Sequence, residues 1–155
     1  MSIKARSDST VLKGLVKAFS DRNSHAKVGV LGAKNARKQK GKTNAEIGVK
    51  HEFGLEGLPI RSFLRMPLTT KFEQYLKQSN LFRKEKFKKI VDDKSLEEYI
   101  RGLGVVGEKT VVGAFESGGF GQWQPSNMER KKVHKTLVES TQLRDSITSE
   151  VVLDK

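Results

Sequence analysis

The chain has no cysteine, three prolines and a single tryptophan in 155 residues. Without cysteine there is no disulfide framework, no thiolate zinc site and no cysteine nucleophile. No apolar run approaches the roughly 20 residues that span a bilayer, and the opening stretch MSIKARSDST lacks the apolar core of a secretion signal. The expectation is a soluble protein that works, or is assembled, in a cytoplasm and has no membrane partner.

Catalytic patterns are missing too. The three histidines, His25, His51 and His134, have no ligand spacing, and His51-Glu52 is not followed by the second histidine of a zincin motif. There is no Walker loop, no G-x-G-x-x-G after a strand and no G-x-S-x-G elbow. The acid pairs Asp92-Asp93 and Glu97-Glu98 precede or open a helix, where they complement its dipole or are simply solvated. The glycine-rich GAFESGGFGQW, residues 113–123, lacks the residues that a phosphate-binding loop carries and reads as a flexible turn. Nothing here predicts a catalytic, metal-binding or cofactor-binding residue or a small-molecule substrate, so no enzyme is expected.

Positive charge is abundant. Thirty Lys and Arg against 18 Asp and Glu leave a net charge of +12. Charge of this size speaks to partners and solubility, not to fold. Three readings stay open on it: a nucleic-acid binder, a protein facing an acidic protein surface, or a solvated basic protein. Apolar residues make up 35% of the chain and are spread along its length, so it is expected to fold as one domain across 1–155.

Periodicity divides the chain into short elements. Val11, Leu12, Leu15, Val16 and Phe19 form one stripe of an amphipathic helix over 9–19. Ala26, Val28 and Val30 alternate with Lys27, Gly29 and Leu31 as a strand. Residues 33–44 carry Lys34, Arg37, Lys38, Lys40 and Lys42 with no acidic or large apolar residue, and are expected to form an exposed, mobile loop that buries nothing. Thr43-x-x-Glu46 is a capping box for a helix over 45–53, which Gly54 would end. Leu58 to Met66 reads as extended, with Ile60, Leu64 and Met66 on a core face and Arg61, Phe63 and Arg65 on the other. Pro67 fits the first turn of a helix with Leu68, Phe72, Tyr75 and Leu76 on one stripe.

Residues 81–91 place Phe82, Phe87, Ile90 and Val91 among five basic residues on a broader face. Ser95-x-x-Glu98 is a second capping box, opening a helix with Leu96, Tyr99, Ile100 and Leu103. Half of the 14 glycines lie between Gly102 and Gly121, which predicts an interrupted or loosely held helix before a stop at Gly118-Gly119. Ser126-x-x-Glu129 opens a last basic helix, and Ile147, Ser149, Val151 and Leu153 alternate with Thr148, Glu150 and Val152 in a closing strand. Helices segregated from a small antiparallel sheet, its strands far apart in sequence, read as α+β.

Two stretches carry a resemblance. His51-Glu52-Phe53-Gly54 followed by Leu58-Pro59-Ile60-Arg61-Ser62-Phe63-Leu64-Arg65 resembles the "HEFG…IPARPFLR" pattern of the virion-morphogenesis proteins of tailed phages, the tail-completion, neck and tail-terminator group. Gly121-Gln122-Trp123-Gln124-Pro125, then Leu137 to Ile147 (LVESTQLRDSI), is similar to that group's "W-x-P … LIDTGQLRDSI" ending, in the same order. Together they bracket residues 45–153. Ser62 stands where the family often has proline, and Thr141 where it usually has glycine. A β-branched residue there disfavours a tight left-handed turn before the last strand.

The resemblance implies an α+β fold and a non-enzymatic role at the head–tail junction of a virion, with assembly in the host cytoplasm. It implies a homomeric, typically hexameric ring around the DNA channel, which joins or terminates the tail. Partners would be tail-tube, head-completion or connector proteins, with non-specific contact to genomic DNA. In that setting Arg61, Phe63 and Arg65 offer one strand face with the composition of an interface hot spot, and Trp123 is a second anchor. The opposing reading is that Phe63 fills the chain's own core while the arginines pair locally. Loop 33–44 would be ordered only by a partner. The alternative function is a basic nucleic-acid-binding module, although loop 33–44 lacks the interleaved aromatics such modules use.

Overall fold

The two alternating segments near opposite ends of the described chain find each other. In the computed structural model, which describes residues 23–36, 41–81, 93–123 and 141–154, β1 (His25–Val30) pairs antiparallel with β2 (Ile147–Val152). His25 lies opposite Val152 and Val30 opposite Ile147. This register turns Ala26, Val28 and Val30, with Ile147 and Val151, toward the helices, as the period-two pattern requires. The amphipathic segment 9–19, the basic segment 82–91 and the helix expected from Ser126 lie outside the described residues.

Between the strands come α1 (Asn44–Phe53), α2 (Arg65–Thr70), α3 (Phe72–Gln78), α4 (Asp93–Glu116) and the single turn α5 (Gln142–Asp145). The fold is α+β: a two-stranded antiparallel sheet packed against several helices. The first capping box is in place. Thr43 N–H donates to the Glu46 carboxylate at 2.7 Å, and Glu46 N–H donates to Thr43 Oγ1 at 3.2 Å. Gly54, at φ 68°, ends α1 in the left-handed conformation, and a Cβ there would lie 2.6 Å from Ile60 Cγ1, so both backbone and space demand glycine.

Three expectations need correction. The helix begun near Pro67 is not continuous: it breaks at Lys71, φ −121° and ψ −16°. Thr69 and Thr70 direct their hydroxyls onto the carbonyls of Arg65 and Met66 at 2.9 and 2.8 Å, a back-bonding that competes with the helical ladder. Ser95 does not precede a helix but lies within α4. And α4 runs unbroken for 24 residues through Gly102, Gly104, Gly107 and Gly113.

Those glycines are contact slots. A Cβ at Gly102 would come within 2.6 Å of Leu81, one at Gly104 within 2.8 Å of Ser149 and one at Gly107 within 2.7 Å of Val28; at Gly113 it would strike Tyr75. The sheet therefore rests directly on the α4 backbone, and Ser149 Oγ donates to Glu108 at 2.6 Å to hold it there. In an exposed helix, Gly→Ala stabilises by about 1 kcal/mol. Gly104→Ala should do the opposite and destabilise by roughly 1–3 kcal/mol, because the new methyl meets the Cβ of Ser149 as well as its hydroxyl. Chemical denaturation of the variant reads the sign.

The helix stops as expected, with positive φ at Gly118, Gly119 and Gly121. The turn before the last strand is also left-handed, although a threonine makes it: Thr141 has φ 54°. Its carbonyl accepts from Asp145 N–H at 2.8 Å, and its hydroxyl, ahead of the neighbouring Arg144, holds the Asp145 carboxyl below its ordinary pKa. These bonds offset the roughly 1–2 kcal/mol that positive φ costs a residue with a Cβ.

Candidate docking face

Arg61, Phe63 and Trp123 are not at the surface. Segment 58–64 forms no strand: Pro59 lacks an N–H, and Arg61 N–H donates at 2.8 Å to the carbonyl of His51 on α1 rather than to a sheet. That anchor inverts the expected facing. Arg61 and Phe63 are each 3% exposed, whereas Ile60 is 66% exposed. Burial pushes the Arg61 guanidinium pKa down. Phe63 stacks obliquely on Phe115 at 5.2 Å, and Phe115 meets Trp123 edge-on at 5.7 Å. Val111, Leu143 and Ile147 complete this core. Trp123 Nε1–H also donates to the Ser62 carbonyl at 3.3 Å. The interface reading of Phe63 and Trp123 is therefore replaced: both are buried in the chain's own core, packed around Phe115.

Both motif regions converge on this core. Phe63 of the first packs with Trp123, Leu143 and Ile147 of the second. Gly48 leaves room for them, since a Cβ there would lie 3.1 Å from Phe63 and 3.5 Å from Leu143.

Within the first motif, Glu52 is the organiser. Its side chain is nearly buried, and its carboxylate accepts from Ser62 Oγ at 2.6 Å, Leu64 N–H at 3.0 Å, Arg65 N–H at 3.1 Å and Arg65 Nε at 3.0 Å. Burial alone would raise its pKa, but the donors outweigh burial and hold it below the ordinary carboxylate range. Ser62 Oγ in turn accepts from Met66 N–H at 3.0 Å, so Ser62 links Glu52 to the start of α2. Sequence reading passed over Glu52. It is the penultimate residue of a capped helix, and its carboxylate takes the Leu64 and Arg65 N–H groups of the segment that follows.

The residues that alternate with these point outward. Phe53 is 49% exposed, and with Val49, Leu55 and Ile60 it leaves large apolar side chains uncovered along α1 and the turn after it. Arg65 lies 4.5 Å above the Phe53 ring while bonded to Glu52, with most of its side chain in solvent. The Lys50–Glu56 ion pair, 2.5 Å, borders the patch. Beside it opens an almost wholly apolar groove of about 210 Å³ between Val49 and Phe53 on one wall and Val30 and Leu64 on the other, with Phe63 at its base. Of the expected strand-face residues, only Arg65 belongs to this surface.

The basic loop is tethered at both ends. Asn44, 2% exposed, donates through Nδ2 to the carbonyls of Lys34 and Ala36 at 2.9 and 3.2 Å, and Asn35 Oδ1 accepts from Ala45 N–H at 2.8 Å. Asn44 is thus buried against residues 34–36, and the expectation that the segment buries nothing is corrected. Lys34 and Lys42 are exposed near the α1 N-terminus; Arg37, Lys38 and Lys40 lie outside the described residues.

Among the described residues, no group of three His, Asp or Glu side chains could hold a metal ion, and no helix is long and apolar enough to cross a membrane. Comparison with protein-family models, curated proteins and solved structures yields no match to this chain.

Proposed function

We propose that the chain is a structural subunit of a virion head–tail junction, a neck or tail-completion protein that works as a homomeric ring around the DNA channel. One observation carries the reading: the motif over residues 52–65 is two-sided. Its inward residues, Glu52, Arg61 and Phe63, are committed to the fold, while Phe53, Ile60 and Arg65 make an apolar, arginine-edged surface with no cover among the described residues. Exposed apolar groups clustered around an arginine suit a protein–protein contact. Repeated by rotation between subunits, a heterologous contact of this kind closes a ring.

The test is the morphology of particles assembled without this chain. Tailless heads beside separate, finished tails are the expected result for a joining subunit, and abnormally long tails for a terminator. Particles of normal form would overturn the proposal. The alternative, a basic nucleic-acid-binding module, draws on the +12 charge and the exposed Lys34 and Lys42. It predicts normal particles together with DNA binding whose affinity falls steeply with salt.

A further inference from the structure

The docking face has a counterpart on the same chain. Among the described residues, the exposed large apolar side chains are Val49, Phe53, Leu55 and Ile60 in and after α1, and Val105 and Leu153 elsewhere. Val105 lies on α4 between Arg101 and Glu108, which are already bonded to Glu97 and Ser149. Leu153, 41% exposed, directly precedes the exposed Asp154. Asp154 accepts from Asn23 N–H through one oxygen at 3.1 Å, which leaves the second for another donor. Of these two outlying residues, only Leu153 joins an apolar side chain to an acid that can still pair.

The groove beside α1 has the matching composition. Its volume of about 210 Å³ suits one bulky apolar side chain, since an apolar cavity of about 150 Å³ holds a benzene. Arg65, stacked on Phe53, lines the same groove. Its Nε is committed to Glu52, and its Nη groups have no partner among the described residues. An inserted leucine brings the carboxylate of the next residue to a guanidinium, whose fork is shaped for that group.

The two halves cannot meet within one subunit. The register puts Val30, which lines the groove, opposite Ile147, and Val152 opposite His25 at the other end of the sheet. Strands of six residues separate those ends by about 17 Å, and Leu153 lies one residue farther on. Leu153 therefore has no access to its own groove. A knob and a hole at opposite ends of one subunit make a head-to-tail contact, the heterologous kind that closes a ring when its rotation permits.

We propose that Leu153 of one subunit inserts into the groove between Val49 and Phe53 of the next, with Asp154 on that subunit's Arg65. The occupant of the docking face is thus a second copy of this chain. The contact rests on the ring reading above and supplies the other half of that ring's joint.

Because the chain has no cysteine, engineered thiols report the contact without background. Val49→Cys subunits mixed with Leu153→Cys subunits should give mixed covalent dimers under mild oxidation, at about 0.15 M salt to screen the self-repulsion of the +12 charge. Neither variant should dimerise alone, and the double variant should form a ladder of covalent oligomers. Linkage should outpace that of Lys77→Cys mixed with Leu153→Cys by at least about tenfold, the factor that about 1.4 kcal/mol of specific contact supplies. Lys77 is open to solvent but does not line the groove. Adding Asp154→Asn to the Leu153→Cys subunit should slow linkage about two- to fivefold, as losing an exposed pair of about 0.5–1 kcal/mol would.

No excess over the Lys77→Cys control would overturn the proposal. So would dimers of Val49→Cys alone, which mean that α1 meets α1 across a two-fold axis. Unchanged linkage with Asp154→Asn would overturn the pairing with Arg65. The virion role is read separately, from particles lacking the chain. A junction defect without the linkage would overturn this contact and leave the role standing, while linkage beside normal particles would overturn the role and leave the contact.

Discussion

Phe63→Ala should lower the thermal midpoint of this protein by about 6–20 °C. The range follows from about 3–5 kcal/mol for truncating a buried phenylalanine, at roughly 2–4 °C per kcal/mol for a domain of this size. Phe63 is placed for the upper half of that range. Its ring lies against Phe115 at 5.2 Å, and on the other side it fills the space that a Cβ at Gly48 would contest, 3.1 Å from the ring. It also forms the base of the groove beside α1, and its loss would admit water there. The single tryptophan provides the signal, because Trp123 shares the cluster and its emission should shift red as the cluster opens. A midpoint within about 2 °C of the parent would show that Phe63 is not a core residue, since only surface-like substitutions are that mild.

The second large effect belongs to Glu52. Glu52→Gln keeps the shape but replaces one carboxylate oxygen with an NH2 that faces donors, either Leu64 N–H or the cluster of Ser62 Oγ, Arg65 N–H and Arg65 Nε. The expected loss is about 2–4 kcal/mol, between the loss of charged hydrogen bonds and the breaking of a buried ion pair. Its pH dependence has a definite sign. The native pKa of Glu52 is lowered, so its contribution is fully present above the unfolded value of about 4.3 and disappears as pH falls through the lower native value. Within that window the unfolded chain binds more protons, and stability rises with pH. Urea midpoints measured from about pH 3 to pH 7 should therefore show a shallower acid limb in Glu52→Gln than in the parent. Equal slopes would mean that the carboxylate is not the acceptor described.

Local chemistry was the part of this fold most open to sequence reading. Thr43, Glu46 and Gly54 announce both ends of α1 because capping uses adjacent residues and the left-handed turn excludes most side chains. Both strands follow from period-two alternation, whose inward members are fixed by the register. The α4 glycines misled because glycine weakens an isolated helix; the Leu81, Ser149, Val28 and Tyr75 side chains packed against it show what the missing Cβ atoms permit. Segment 58–64 misled for a related reason. Alternation says which residues share a face but not which face is inside, and a single bond from Arg61 N–H to the His51 carbonyl decides that. Buried Glu52 and exposed Ile60 both run against residue-type preference, so neither could be placed without its partners.

On the proposed function, one motif holds the fold with its inner side chains and docks with its outer ones. Ile60→Glu tests it most directly, with thermal unfolding and particle assembly measured on the same variant. Ile60 is 66% exposed, so the midpoint should stay within about 2 °C of the parent, while particles assembled with the variant should show the same junction defect as particles lacking the chain. Normal particles built with a stable Ile60→Glu subunit would contradict the account.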